Sequence, residues 1–252
     1  MITIQCISLA SKPERRAFMA EQFAQLALPH RFFDAIQIDL SAGWPTSYDR
    51  QRRLAYTGVD LRAGEMGCFL SHRQVWLEFL QTDAPYCLVL EDDVLISPDF
   101  PAVVEALCQM PQHWNFVRFF EMFPKRSVPA QAITGKYHLI DYLQQPNGTQ
   151  GYLLNRHAAK ILLAHTATMW HTIDNTIDRE WEHGLWLKGI NPDALSHQLE
   201  FETTLGAWQK AHLPWQRKIA VGWFRVGSNL RKQLWLQKKR LQLRLRSTFK
   251  SR

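Results

Sequence analysis

The stretch Pro85–Ser97, PYCLVLEDDVLIS, sets three consecutive carboxylates against the end of an apolar run. Its first half is short, apolar and bounded by turn signals, as expected of a strand covered on both faces. Adjacent carboxylates repel one another and resist desolvation, so Glu91, Asp92 and Asp93 need a physical reason to sit together. In an open α/β sheet the carboxyl end of a strand is where ligands bind.

The segments around this stretch alternate between strand and helix patterns. ITIQCISL (2–9) is rich in β-formers, and Ser11, Pro13 and Glu14 predict a capping box opening a helix that runs to about Leu26. GEMGCFLSHRQVWLEFL (64–80) predicts a second helix, with Met66, Phe69, Leu70, Leu77 and Leu80 on one face. Ser97 and Pro98 open another helix; NFVRFF (115–120) and GYLLN (151–155) read as strands, and HAAKILLAH (157–165) as a helix. The alternation predicts an α/β domain with a mostly parallel central sheet flanked by helices.

Composition narrows the function classes. A chain of 252 residues with 46% hydrophobic and 21% charged residues is globular rather than disordered. The opening MITIQCISLASKPERR shows no secretory-signal pattern, and no apolar run approaches the roughly 20 residues of a bilayer span. Cys6, Cys68, Cys87 and Cys108 lack zinc-site spacing and read as reduced core residues of a cytosolic protein. The net charge of +7 hides two regimes: residues 1–202 hold 17 Lys and Arg against all 23 acids, and residues 203–252 hold 13 Lys and Arg with no acid. The basic character belongs to the tail.

On an extended segment residues i and i+2 point the same way, so Glu91 and Asp93 are placed to share a ligand. Hard anionic oxygens suit Mg²⁺ or Mn²⁺, which would also engage a diphosphate. The bland alternative is a solvated turn.

The order SLASKPERR, FFDAI, GEMGCFLSHRQVW, LEDDV, GTQGYLLN and TIDNTIDREW resembles glycosyltransferase family 25 over about residues 1–200. The most specific part is GE-x-GC-x-LSH followed some 15 residues later by LEDDV. The resemblance implies a GT-A-like nucleotide-sugar-binding domain, assigned to residues 1–215. It also implies a Mn²⁺ or Mg²⁺ cofactor and inverting transfer of a hexose, most often galactose from UDP-galactose, onto a lipopolysaccharide or lipooligosaccharide core. Two positions depart from the family pattern. Ser8, Leu9 and Ala10 replace the usual Asn-Leu-Asp after the first strand, and HTIDNTID replaces the later P-x-D.

The implied chemistry assigns roles. Transfer to a hydroxyl develops oxocarbenium character on the sugar and negative charge on the departing diphosphate. Asp93, with Glu91 or Asp92 helping directly or through water, is the expected metal site, and His197 a further ligand, since GT-A enzymes often draw one histidine from a late segment. An inverting displacement needs a base on the face opposite the leaving group. Asp174 is the first candidate, Asp178 the second and Glu121 the third; a helix cap is the plain reading of either aspartate. Glu65 and His72 lie near one helical stripe with Cys68; a satisfied packing residue is the plain reading of His72, and the resemblance, in which LSH belongs to the donor-side motif, makes it and Glu65 donor-binding candidates. Ser8, Arg15, Arg16, Asp92, Gly148 and Thr149 complete the donor-binding candidates, although Arg15 and Arg16 also suit a solvated helix and Gly148 and Thr149 a plain loop.

Residues 216–252 are read as a basic amphipathic tail. Val226, Leu230, Leu234, Leu241, Leu245 and Phe249 fall close to one helical stripe. Arg231, Lys232, Lys239, Arg240 and Arg244 occupy its sides, with Trp215, Trp223 and Trp235 adding amphipathic rings. Such a helix suits an anionic membrane surface, which predicts a peripheral enzyme on the cytoplasmic face of the inner membrane, acting on a lipid-linked oligosaccharide. The alternatives are a solvated tail or a helix packed on the domain. Two rival functions are a nucleic-acid or polyanion binder, for which no recognition motif accompanies the charge, and a metal-dependent phosphoesterase, which calls for more histidines at tight spacing.

Overall fold

A computed structural model describes residues 2–198 and 215–250. The first part of the chain forms β1 (Thr3–Ser8), α1 (Pro13–Gln25), β2 (Arg31–Asp34), α2 (Arg50–Thr57), α3 (Ala63–Leu80) and β3 (Tyr86–Glu91). Next come β4 (Val94–Ile96), α4 (Phe100–Cys108), β5 (Phe116–Arg118), β6 (Ser127–Thr134), β7 (Tyr137–Tyr142) and β8 (Gly151–Asn155). Then follow α5 (Arg156–His165), α6 (Ile173–Ile177), α7 (Glu180–His183), β9 (Leu187–Asn191), β10 (Leu195–His197) and α8 (Trp215–Lys250).

Eight strands form one sheet in the order β2-β1-β3-β8-β5-β9-β7-β6, and β4 pairs separately with β10. β1 is parallel to β2 and β3, and β5 to β9; β8 is antiparallel to both neighbours, as is β7. The sheet is therefore mixed, and the mostly parallel arrangement expected from the sequence is not what forms. The reason is that β8, buried on both faces in the middle of the sheet, has the same continuous apolar pattern as a parallel strand.

Alternation along β3 divides the core in two. Cys87 and Val89 join Phe69 and Trp76 of α3 and Leu162 of α5. Leu88 and Leu90 join Met19 and Phe23 of α1 and Phe100 and Val103 of α4. All four Cys thiols are free, with Cys6 and Cys87 buried.

Two local expectations need correction. α1 starts after Lys12 with Pro13 at its first position and no side-chain cap, so the box of Ser11 and Glu14 is not formed; the tight turn Lys12 N–H to Leu9 O sets the helix start instead. On α3 the buried face is Met66, Phe69, Val75, Trp76 and Phe79, while Leu77 is 38% exposed. α3 packs against other helices as well as the sheet, so its apolar residues do not fall on one stripe.

The GE-x-GC-x-LSH segment has a packing logic. A Cβ on Gly67 would lie 2.2 Å from the Ile36 carbonyl oxygen, so the helix backbone rests directly on the chain after β2. Ser71 fixes the same contact: its hydroxyl accepts from Ile36 N–H at 2.8 Å and donates to Gly67 O at 2.7 Å.

α8 is docked by its polar side. Arg225 Nε donates to Tyr56 O, Ser228 Oγ accepts from Arg179, Lys232 bonds Gln145, and Trp235 Nε1 and Lys239 Nζ donate to Glu180. Lys239 is 1% exposed. Val226, Leu230, Leu234, Leu241 and Leu245 are 52–61% exposed on the other side. The side chains of Trp215, Trp223 and Phe249 lie outside the described residues. Among the described residues no helix is long and apolar enough to cross a membrane.

Gly67→Ala should destabilise the protein by about 1–3 kcal/mol, because the obstacle is backbone and cannot rotate away. Chemical denaturation measures the loss; an unchanged midpoint would show that α3 shifts freely on the chain below it.

Candidate active site

Each carboxylate of the triplet meets a different environment. Asp92 is buried and fully compensated: Ser8 Oγ donates to Oδ2 at 2.6 Å and Arg15 Nη1 to Oδ1 at 2.8 Å. Ser8 ends β1 and Arg15 lies in the first turn of α1, so the parallel β1–β3 pairing is what delivers both. Arg16 is engaged beside them, donating to Ser8 O and Asp34.

Glu91 is held at Oε1, where Thr149 Oγ1 donates at 2.6 Å and His72 Nε2 stands at 3.4 Å. Burial is the largest influence and works to raise this carboxyl, but the contacts with His72, Thr149 and His197 together outweigh it and hold Glu91 below the usual carboxylate range.

Asp93 has no such compensation. Its Oδ1 is buried without a hydrogen-bond partner among the described residues, and its Oδ2 lies 3.5 Å from His197 Nε2 and 3.9 Å from Arg15 Nη1. Burial, then the charge of Glu91, pushes its carboxyl up to about 6. An orphaned carboxylate oxygen beside a second carboxylate and an imidazole fits a divalent cation, which supplies the missing positive charge. β10 brings His197 here by pairing with β4, His197 opposite Val94. His197 thus stands beside Asp93, with Glu91 close enough for its charge to act on that carboxyl, while the compact group of metal-type side chains among the described residues is Cys68, His72 and Glu91.

The loop that carries Gly148 and Thr149 runs from β7 to β8. Asn147 and Gly148 both have positive φ, 58° and 88°. This kink lets Asn147 N–H donate to Asp178 Oδ2 at 2.8 Å while Thr149, two residues on, reaches Glu91.

The three candidate bases separate by burial. Asp178 is 1% exposed and pairs with Arg118 Nη1 at 2.5 Å, so it supports the loop and has no open face. Asp174, partly exposed in the first turn of α6, lies close enough for its charge to act on Cys68, Arg118 and Asp178. Glu121 follows β5 and accepts from Lys125 N–H, while its own N–H donates to Asp193; burial raises its carboxyl above the usual range. Glu65 is occupied at the start of α3, accepting from Arg62 N–H and Arg62 Nη2.

Arg118 and Tyr152 were not singled out from the sequence, and Cys68 reads there as a reduced core residue on the stripe of Glu65 and His72. Arg118 left a signal, a charge inside the apolar strand NFVRFF that demands a buried counter-charge. A hollow of about 1190 Å³ lies where β5 and β9 begin, between the β6–β7 hairpin and α8. Its buried polar groups satisfy one another, with Lys188 and Trp186 both donating to Asp141, and none of the triplet lines it.

Fold and site define an α/β protein with an anionic, cation-ready strand end. The chain belongs to glycosyltransferase family 25, whose model, described as an LPS biosynthesis protein, matches residues 1–177. It is 27% identical over 217 residues to the lacto-N-neotetraose biosynthesis glycosyltransferase LgtE of Neisseria meningitidis serogroup B, covering 77% of this chain and 74% of that protein. It is 30% identical over 170 residues to the lipooligosaccharide biosynthesis protein lic2B of Haemophilus influenzae, covering 65% of this chain and 63% of the relative. A human protein named inactive glycosyltransferase 25 family member 3 is 33% identical over 113 residues, 41% of this chain and 18% of that one. A crystal structure of a glycosyltransferase involved in glycosylation of the PBCV-1 major capsid covers 65% of each chain at 12% identity, with a TM-score of 0.33, too low to bear on the fold.

Asp178→Asn should destabilise the protein by about 3–5 kcal/mol, because it strands a buried Arg118 charge. Asp174→Asn should change stability by less than about 0.5 kcal/mol. Thermal denaturation of the two variants side by side checks the contrast; equal stability would remove the supporting role given to Asp178.

Proposed function

We propose that this chain is a metal-dependent, inverting glycosyltransferase with a GT-A-like donor site, moving a hexose, galactose from UDP-galactose, onto a lipopolysaccharide or lipooligosaccharide core. The observation that carries this reading is the uncompensated Asp93 carboxylate at the strand end, inside a family whose relatives are named for lipooligosaccharide and lacto-N-neotetraose synthesis. Because the family also includes a relative named inactive, turnover has to be measured rather than inherited from membership.

In this reading Glu91, Asp93 and His197 hold Mn²⁺ or Mg²⁺. The bound ion supplies Lewis-acid stabilisation of the diphosphate leaving group. Ser8 and Arg15 lock Asp92, and through it the β3–β4 turn, so that Asp93 stays aimed into the site. Asp174 takes the proton from the acceptor hydroxyl, since it is a partly exposed candidate carboxylate whose charge reaches Cys68, the neighbour of Glu91. The phosphoesterase alternative is weakened by the shortage of histidines: the group of three metal-type side chains among the described residues, Cys68, His72 and Glu91, contains a single one.

The tail reading also finds support. α8 carries eleven Lys and Arg and no Asp or Glu, and its apolar stripe faces away from the domain. Exposed leucines flanked by cations match an anionic lipid surface; a nucleic acid would leave the leucines in water. A second copy of the same helix would bring like charge against like. The enzyme is therefore read as peripheral, on the cytoplasmic face of the inner membrane, with residues 1–215 as the transferase domain and 216–252 as the membrane-associating segment.

With UDP-galactose and Mn²⁺, the protein should transfer or slowly hydrolyse the donor. Asp93→Asn should abolish the metal-dependent activity with the fold intact, and Asp174→Asn should lower turnover about 10²-fold or more with donor affinity unchanged. Wild-type turnover in Asp93→Asn with metal still required would exclude Asp93 as a ligand. Screening other UDP-sugars in parallel distinguishes a wrong donor from a wrong class.

Leu230→Glu combined with Leu241→Glu should weaken binding to anionic vesicles at least about tenfold while leaving the melting temperature unchanged, because both side chains are exposed and unpacked. Co-sedimentation measures the first and calorimetry the second. Unaltered vesicle binding would refute the lipid-facing role of the stripe.

A further inference from the structure

Hydrogen-bond counting around His72 fixes where its proton resides. His72, Trp76 and Tyr152 are fully buried, so their polar atoms have to find partners inside the protein. Trp76 Nε1–H donates to the Tyr152 hydroxyl oxygen at 2.9 Å, and an indole nitrogen only donates. The same hydroxyl lies 2.8 Å from His72 Nδ1. Its own proton needs an acceptor, and His72 Nδ1 is the acceptor it meets among the described residues. Tyr152 therefore donates to Nδ1, which carries a lone pair, and the neutral ring holds its proton on Nε2. Either an imidazolium or the Nδ1–H form would turn two donors onto the tyrosine oxygen and leave a buried hydroxyl proton with no acceptor.

We infer that His72 is a positioning residue for Glu91, locked by Trp76 and Tyr152 as the Nε2–H tautomer so that it joins Thr149 in steering Oε1 and leaves Oε2 for the ligand. Both donors converge on Oε1, at 3.4 Å from His72 and 2.6 Å from Thr149, and no hydrogen bond among the described residues ends on Oε2. His72 itself is fully buried and has no face to offer a nucleotide. The same proton count decides a competing reading of these side chains. One ligand atom each from Cys68, His72 and Glu91 lies within 4.8 Å of the others, a spacing that suits a metal ion. With Nε2 protonated, the ring directs an N–H rather than a lone pair into that space. The role of Glu91 toward a divalent cation rests on the proposed function; the tautomer does not.

The experiment uses the full chain labelled with ¹⁵N-histidine, with His72 identified by the signals lost in His72→Gln. Its Nδ1 should show the shift of an unprotonated acceptor and its Nε2 that of a protonated nitrogen, and Tyr152→Phe should move both. A protonated Nδ1 overturns the relay, whatever the protein's activity. Calorimetric Mn²⁺ binding then reads the consequence. His72→Gln, whose amide N–H₂ reaches the Nε2 position, should keep affinity within about threefold, whereas His72→Leu should lose about tenfold or more. Equal losses in the two variants overturn the positioning role. If the wild-type protein binds no Mn²⁺, the functional reading fails, and the ring ¹⁵N shifts alone decide the relay. A thiolate-to-Co²⁺ absorption band that disappears in Cys68→Ser would reveal a metal on Cys68 and overturn the assignment.

Discussion

Repulsion among Glu91, Asp92 and Asp93 is the constraint to which much of the architecture answers. Three carboxylates at the end of a buried strand would unravel it unless each is treated separately. The parallel partner β1 ends in Ser8 and turns at once into α1, which brings Arg15 over Asp92. The left-handed kink at Asn147 and Gly148 carries Thr149 across to Glu91. The small β4–β10 ribbon brings His197 to Asp93 and is the least complete of the three solutions, since one Asp93 oxygen stays orphaned. Topology that looks irregular, an antiparallel β8 in mid-sheet and a detached ribbon, is what delivers these side chains.

Much of this was legible in the sequence. The apolar run before the triplet, the strand GYLLN and the helices over 64–80 and 157–165 all appear close to their expected bounds. Strand direction was not legible, because burial on both faces erases the alternation that marks an antiparallel strand. The β6–β7 hairpin was missed although its turn contains Gly135 at φ 51°, a position that favours glycine. At the site, the identities of the carboxylates were readable and their partners were not. Asp178 and Arg118 are 60 residues apart, and nothing local in IDNTID says that its second aspartate is sealed in an ion pair while its first stays open.

α8 reverses the usual logic of a surface helix. A helix on a globular domain buries its apolar stripe; here Arg225, Ser228, Lys232, Trp235 and Lys239, spaced by three and four, form the inward side. The sequence showed the leucine stripe but not which way it faced, since a second, polar stripe of helical period runs beside it. Hydrogen bonds to charged groups, together with the buried Val221, hold the helix down, and the exposed leucine surface is left for something outside the chain.

Glu180 accepts from Lys239 and Trp235 of α8 and from the backbone N–H of Leu187 at the start of β9. One carboxylate thus joins three chain segments, and lifting α8 would expose a buried ammonium and a buried carboxylate in the same event. The helix and the β9 edge of the sheet consequently form one cooperative opening unit. Amide hydrogens on the α8 turns around Trp235 and Lys239 therefore exchange with solvent through that shared opening.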